Sequence, residues 1–170
     1  SSTVSGVSFA QQPVVTIQDA YGNTATTGGY ATASVALTRT GGTGVLSGTS
    51  SQSASGGVAT YSGLSINLSG SDKVLTATAT LSGGSATTTT NAFAITAASA
   101  SKLVVTGSSS QVAGSSQTLT ITAKDAQGNV ATGYTGDKSV TFSGANNSTS
   151  PVTSPTVTDK TGVAKSFGTS

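Results

Sequence analysis

Hydrophobic and polar residues alternate with a period of two over several short stretches of the chain. Clear cases are residues 34–38, 91–96, 118–123 and 139–143. Residues two apart share one face of a β-strand, and turns rich in Gly, Ser and Asn separate these stretches. No stretch has both the apolar spacing and the capping residues of an amphipathic helix. The pattern therefore predicts an all-β protein.

One block of six residues occurs twice, because QDAYGN at residues 18–23 returns as KDAQGN at residues 124–129, an offset of 106. Three further matches keep nearly the same offset: Val4 with Val112, Val35 with Val140, and residues 57–59 with residues 162–164. A nearly constant offset across separate blocks indicates two copies of a unit of about 105 residues, close to the size of an immunoglobulin-like sandwich.

We therefore expect two domains, residues 1–98 and residues 99–170, joined by small residues around positions 97–102. The second copy opens with an apolar strand at residues 102–106, and the matching strand of the first copy would precede Ser1. The predicted fold is a pair of tandem immunoglobulin-like antiparallel β-sandwiches. The first lacks its first strand, and the second is incomplete at its C-terminal end.

The alternation also predicts which side chains face the interior of each sandwich. The expected core residues are Val15, Ile17, Val35, Leu37, Phe93 and Ile95 in the first copy, and Leu119, Ile121, Val140 and Phe142 in the second. We expect the open side of the second copy, flanked by Val163 and Phe167, to be covered by strand pairing with another polypeptide, since unpaired edges recruit strands.

The composition excludes most catalytic and metal-binding chemistry. Ser and Thr make up 62 of the 170 residues, and Cys, His, Met, Trp and Glu are absent. Without Cys or His, the usual zinc, copper, haem and iron–sulfur sites are excluded, as are a Ser-His-Asp triad and a cysteine nucleophile. Five carboxylates, all Asp, leave little for paired-carboxylate catalysis. We expect no enzyme activity, no cofactor and no metal.

The net charge of +2 comes from seven basic and five acidic residues. Four of the lysines stand beside an aspartate in the sequence, so no positive stripe forms for nucleic-acid binding. No apolar run approaches the roughly 18 residues of a membrane span. The N-terminus shows no signal segment, and we expect the chain to be a mature or excised piece.

The order of the strand and turn segments resembles a known family. The segments are residues 16–23, 33–37, 44–49, 57–66, 73–77 and 91–95. This succession resembles the bacterial immunoglobulin-like repeats of long secreted or surface-anchored proteins, which include invasin-like and adhesin-stalk domains. The resemblance implies an extracellular, cell-surface location and a structural or adhesive role. The expected function is a non-enzymatic segment that spaces, displays or builds a cell-surface assembly.

Two other functions stay open at this point. One is a self-assembling extracellular filament subunit whose partial sandwiches are completed by strands from neighbouring identical chains. The other is a glycan-binding module, for which Tyr21, Tyr30, Tyr61 and Tyr134 are the candidate stacking residues. Such platforms generally use Trp as well, so we expect the four tyrosines to be packing residues.

The repeated Asp-Ala-X-Gly-Asn blocks, residues 19–23 and 125–129, are the other candidate sites. Each offers one carboxylate and one amide, whereas Ca²⁺ takes six to eight oxygens. We predict turns, because Asp bonds the backbone two residues on and Gly and Asn tolerate positive φ. Lys73 with Asn91 and Asp19 is a conceivable isopeptide cross-link, but a solvent-exposed lysine is the ordinary expectation.

Overall fold

The computed structural model describes residues 3–112, 115–140 and 163–167. The regular elements of these residues are β-strands, apart from one turn of 3-10 helix at Gly29–Thr32. The predicted all-β class is confirmed. The strands are β1 (Thr3–Val4), β2 (Val14–Thr16), β3 (Ser34–Gly41), β4 (Leu46–Ser47), β5 (Ser51–Ser53), β6 (Val58–Thr60), β7 (Ser65–Ile66), β8 (Gly70–Leu81), β9 (Gly84–Thr89), β10 (Phe93–Thr96), β11 (Lys102–Thr106), β12 (Thr120–Lys124), β13 (Gly136–Val140) and β14 (Val163–Phe167).

The largest sheet has the strand order β1-β10-β8-β3-β5, and β9 pairs with β8 beside this path. β3 and β8 are antiparallel, with Leu37 opposite Ala77. β1 runs parallel to β10, with Thr3 opposite Ile95. The sheet is therefore mixed, and the expectation of purely antiparallel sheets is wrong. Side chains alternate in the same way in both kinds of pair, so the sequence pattern carries no information about strand direction.

One hydrophobic core connects this sheet with the two strand pairs β2–β6 and β4–β7. Its least exposed members include Val35, Leu37, Ala59, Tyr61, Leu64, Ile66, Leu75 and Ile95. Ile17 is buried with them, and Val15 and Phe93 are half-buried against the cluster. The predicted interior of the first copy is confirmed at Ile17, Val35, Leu37 and Ile95.

The chain packs as two units, residues 1–131 and residues 132–170. The first unit contains the whole first copy together with β11 and β12 of the second. Those two strands are antiparallel, with Lys102 opposite Lys124 and Thr106 opposite Thr120. The boundary between the two units, after residue 131, thus lies beyond the predicted repeat boundary between residues 98 and 99. The repeat boundary itself stays a prediction.

The interior predicted for the second copy is not reproduced at Leu119, which is 47% exposed. Ile121 is half-buried. β11 and β12 form a two-stranded sheet, and a single pair of strands does not enclose a core. Phe142 lies outside the described residues.

In the second unit, β13 and β14 pair antiparallel, with Gly136 opposite Phe167. The rings of Tyr134 and Phe167 meet edge to face at 5.0 Å between centroids, and Lys138 Nζ lies 5.0 Å from the Tyr134 ring centre. Val140 is half-buried. Coverage of the open side near Val163 and Phe167 stays a prediction.

Candidate functional site

Buried polar groups concentrate at one place in the first unit. The buried polar or charged residues of the described chain are Ser5, Lys73, Asp125 and Asn129. Ser5, Asp125 and Asn129 bond directly to one another in a network that connects the Asp125 block (residues 125–129) to the first copy, and Lys73 reaches this network through the Ser69 carbonyl. We call the first-copy side of this contact the junction face, formed by Ser5, Gly6, Asn67, Ser69 and Ala98.

The Asp125 carboxylate is the centre of the junction and is fully buried. Its Oδ2 accepts hydrogen bonds from Ser5 Oγ at 2.6 Å, from the Ala98 amide at 3.1 Å and from Asn129 Nδ2 at 2.9 Å. Its Oδ1 accepts from the Asn129 amide at 2.8 Å. A buried carboxylate without partners is strongly unfavourable, and these donors replace the lost hydration.

The same contacts determine the charge state of Asp125. Burial by itself raises its pKa, but the hydrogen bonds from Ser5, from the Asn129 side chain and from the Ala98 amide together outweigh burial. The pKa of Asp125 therefore lies well below its ordinary value of 3.8. The junction holds a negative charge at neutral pH.

Asn129 makes the second connection to the junction face. Its Nδ2 donates to the Asn67 carbonyl at 3.0 Å, and its Oδ1 accepts from the Ser69 amide at 3.0 Å. One side chain thus satisfies two backbone groups in the segment between β7 and β8. Because a side-chain amide has both donors and an acceptor, it suits this reciprocal contact better than a carboxylate would.

Close packing supplies the third connection, between Gln127 and Gly6. Gly6 has φ +71°, and a Cβ at this position would lie 2.6 Å from Gln127 Nε2. The left-handed backbone favours a glycine there, and the exposed Gln127 side chain lies beside it. The linker is also held, since the Ser101 amide donates to the Lys124 carbonyl at 2.8 Å.

The Asp125 block and the equivalent Asp19 block (residues 19–23) share most of their internal hydrogen bonds, and the Asp19 block adds one from the Tyr21 amide to Asp19 Oδ1 at 2.9 Å. In each, the Asp amide donates to the Asn carbonyl at 2.9 Å, and the Gly amide donates to the Asp carbonyl at 3.1 Å. Gly22 and Gly128 have φ of 86° and 92°. The two blocks are turns, and their glycines occupy the left-handed region as the sequence predicts.

The expectation that the asparagines also take positive φ is wrong, since no described residue other than glycine does so. The asparagines act through their side chains instead. Asn23 Nδ2 donates to Asp19 Oδ2 at 3.1 Å, as Asn129 Nδ2 does to Asp125. Each asparagine thus closes its own turn with the aspartate four residues earlier.

The two blocks differ in the burial of the aspartate and the asparagine. Asp19 and Asn23 are exposed, whereas Asp125 and Asn129 are buried. The third position is exposed in both blocks, at Tyr21 and at Gln127. Hydrogen bonds from the Asn23 side chain and amide lower the pKa of Asp19, helped by the Tyr21 amide. Similar turns thus stand in two environments, one inside a junction and one at the surface.

The candidate tyrosines do not form one platform. Tyr61 is 2% exposed and its hydroxyl donates to the Val35 carbonyl at 2.8 Å, so its ring belongs to the core. Burial raises the pKa of Tyr61. Tyr21 and Tyr30 are exposed, and Tyr134 belongs to the second unit.

Lys73 is buried, against the expectation of an exposed lysine. Its Nζ lies 3.3 Å from both the Ser69 carbonyl and Asp72 Oδ1, and Asn91 is exposed. The lysine is accommodated beside Gly42 and Gly70, where an added Cβ would approach the Lys73 side chain to 2.9 Å and 2.7 Å. These contacts do not pair Lys73 with Asn91 or Asp19 as a cross-link requires.

The sequence pattern missed the junction face entirely. Residues 67–69 match the short Asn-X-Ser glycosylation pattern and residues 4–6 belong to a repeated block, but neither feature marks Ser5, Asn67, Ser69 or Ala98 as a partner of Asp125. The described residues contain no group of three or more His, Cys, Asp or Glu suited to a metal ion. None of the helical structure in the described part of the chain has the length and apolarity that a membrane span requires. Comparison with protein-family models, curated proteins and solved structures found no match.

Proposed function

We propose that the chain is a non-enzymatic structural segment of an extracellular bacterial surface protein, in which immunoglobulin-like repeats are fixed end to end to space or display other parts of the assembly. The observation that carries this proposal is the buried Asp125 carboxylate. It fastens the start of the second copy to the first through donors that are far away in sequence.

A spacer must hold its length, so successive repeats must not swing freely about their linkers. A linker of small residues such as 97–101 bends readily when nothing restrains it. Here the Ala98 amide is bonded to Asp125 and the Ser101 amide to the Lys124 carbonyl. These bonds support a connector of defined direction rather than a flexible tether.

The strand arrangement supports the immunoglobulin-like part of the proposal. One core lies between the mixed sheet and the two short strand pairs, as in a curled sandwich. The parallel pairing of β1 with β10 puts the first strand of the copy beside its last strand. The extracellular location rests on the repeat pattern and on the family resemblance.

Limited proteolysis tests the connector directly. Elastase cleaves after small residues, and the linker contains Ala97, Ala98 and Ala100. We expect the chain to resist cleavage there, an Asp125→Ala variant to be cut within the linker, and the matched Asp19→Ala variant to resist like the original chain. Rapid cleavage of the unmodified linker would contradict a fixed connection.

A further inference from the structure

The Asp19 block carries the same aspartate and asparagine as the Asp125 block, but within residues 3–112, 115–140 and 163–167 no other segment bonds to their side chains. Among the described residues, Asp19 Oδ2 accepts only from Asn23 Nδ2, whereas Asp125 Oδ2 also accepts from Ser5 and Ala98. Asn23 makes no side-chain contact like those of Asn129 with Asn67 and Ser69.

The sequences of the two blocks are nearly identical. DAYGN and DAQGN differ only at the third position, where Tyr21 replaces Gln127. The shared turn geometry places the Asp and Asn side chains in the same relation to each other. The Asp19 block therefore presents the pattern that the junction face recognises, in the same arrangement.

Resting on the proposed function, we propose that the Asp19 block is a docking site for the junction face of another copy of this repeat, placed N-terminal to it in a tandem chain. Asp19 receives the hydroxyl and amide donors equivalent to Ser5 and Ala98. Asn23 receives the backbone groups equivalent to Asn67 and Ser69. Tyr21 lies at the rim, beside the glycine equivalent to Gly6.

The third position of the block lies at the rim of the contact. Tyr21 is 91% exposed, and Gln127 is also exposed although its amide end lies beside Gly6. The exchange of Gln for Tyr at this rim position therefore leaves the buried Asp and Asn contacts of the docking pattern unchanged.

A tandem neighbour fits better than a separate chain. The junction face of the first copy is already occupied by its own Asp125 block, which is tethered and so has a high effective concentration. An Asp19 block from another molecule must displace it. We therefore expect no self-association of the 170-residue chain through this contact.

The sequence shows where the preceding copy would join. Residues 1–6 read SSTVSG, and residues 109–114 read SSQVAG. Placing residues 1–108 before Ser1 superimposes these two segments and puts Asp19 two residues beyond the place of Asp125, because the Asp blocks are offset by 106 and these segments by 108. The core of the first copy lies between Phe9 and Ile95, so the added segment contains a complete core.

The first experiment uses the chain as it stands with Gln127→Tyr, which makes the Asp125 block identical to the Asp19 block. We expect the Ala98 amide to exchange as slowly as in the unmodified chain, because the junction face then holds the sequence of the Asp19 block. Adding Asp125→Ala should speed this exchange about a hundredfold. If Gln127→Tyr alone abolishes the protection of Ala98 that the unmodified chain shows, the inference is overturned and the connector stands.

The second experiment uses the extended chain, residues 1–108 followed by residues 1–170. We expect the Ala98 amide of the added segment to exchange slowly, and Asp19→Ala in the following copy to speed that exchange about a hundredfold. An unprotected Ala98 in the added segment, with Ala98 of the following copy still protected, would overturn the inference alone. Loss of protection at both places would overturn the proposed function as well.

Discussion

Ser5 and Asp125, 120 positions apart in the chain, share a hydrogen bond of 2.6 Å in which the Ser5 hydroxyl donates to the buried carboxylate. Ser5 Oγ also lies 3.2 Å from the Ala98 amide, which donates to the same carboxylate. The short, charge-assisted hydrogen bond from Ser5 to Asp125 joins a residue of the first copy to a residue of the second.

The first prediction compares two chemically identical substitutions. Asp125→Ala leaves the Ser5 hydroxyl and the Ala98 and Asn129 amides without their acceptor inside the junction. We expect it to lower the free energy of unfolding of the first unit by about 3 kcal/mol. Asp19→Ala, at the exposed turn, should lower the free energy of unfolding much less. Urea unfolding measures both, and equal losses would show that Asp125 acts only within its own turn.

The second prediction concerns pH. In an unfolded chain an aspartate titrates near pH 3.9, and the junction lowers the pKa of Asp125 below that. Between these two pKa values the unfolded chain binds more protons, so stability rises with pH and the full contribution of Asp125 is present above about pH 4. Acidification through this range should therefore weaken the first unit.

Denaturant midpoints measured between about pH 6 and pH 2.5 test this sign. Asp125→Asn should flatten the acid decline. The pKa of Asp19 is also lowered, so Asp19 contributes in the same direction and Asp19→Asn is the matched control. If the Asp125→Asn variant loses as much stability on acidification as the unmodified chain, Asp125 is not the source of the pH dependence.

The third prediction addresses the close approach of Gln127 to Gly6. Gly6→Ala adds a Cβ 2.6 Å from Gln127 Nε2 and places a non-glycine residue at φ +71°. We expect a loss of about 1–2 kcal/mol from backbone strain and lost contact at the junction. Gln127→Ala should relieve the contact but not the strain, so the double variant should recover part of the loss. Full additivity of the two substitutions would show that the residues do not touch.

The fourth prediction is independence from calcium. Each Asp-Ala-X-Gly-Asn block uses its single carboxylate to accept hydrogen bonds from its own turn, and Asp125 uses it further for the junction. EDTA should leave the melting temperature unchanged. A drop on chelation that calcium reverses would identify a bound ion, because a ligand of the native state raises its stability.

Local patterns predicted the strands well where apolar residues alternate. Residues 34–38 lie within β3, residues 93–96 of the predicted stretch 91–96 form β10, and residues 102–106 are β11. β9 was missed because its sequence, GSATTT, has no apolar alternation and all its residues are exposed. It is a strand because β8 offers it an edge, which is a tertiary effect.

The junction also depends on tertiary contacts, so the sequence pattern did not predict it either. The residue types predicted that both Asp blocks are turns, but they carried no information about the environment of either block. Whether the aspartate is buried depends on which surface lies beside it, and Ser5 and Ala98 are distant in sequence, where no motif marks them as its partners. Likewise, alternation placed Leu119 in a core that β11 and β12 do not form.

Hydrogen exchange at the Ala98 amide reports directly on whether Asp125 holds the two copies together, because that amide donates to Asp125 and lies in the linker between the copies. We expect slow exchange in the unmodified chain and in Asp19→Ala, and exchange about a hundredfold faster in Asp125→Ala. Rapid exchange in the unmodified chain, or equal protection with and without the Asp125 carboxylate, would contradict the claim that this residue fastens the two copies together.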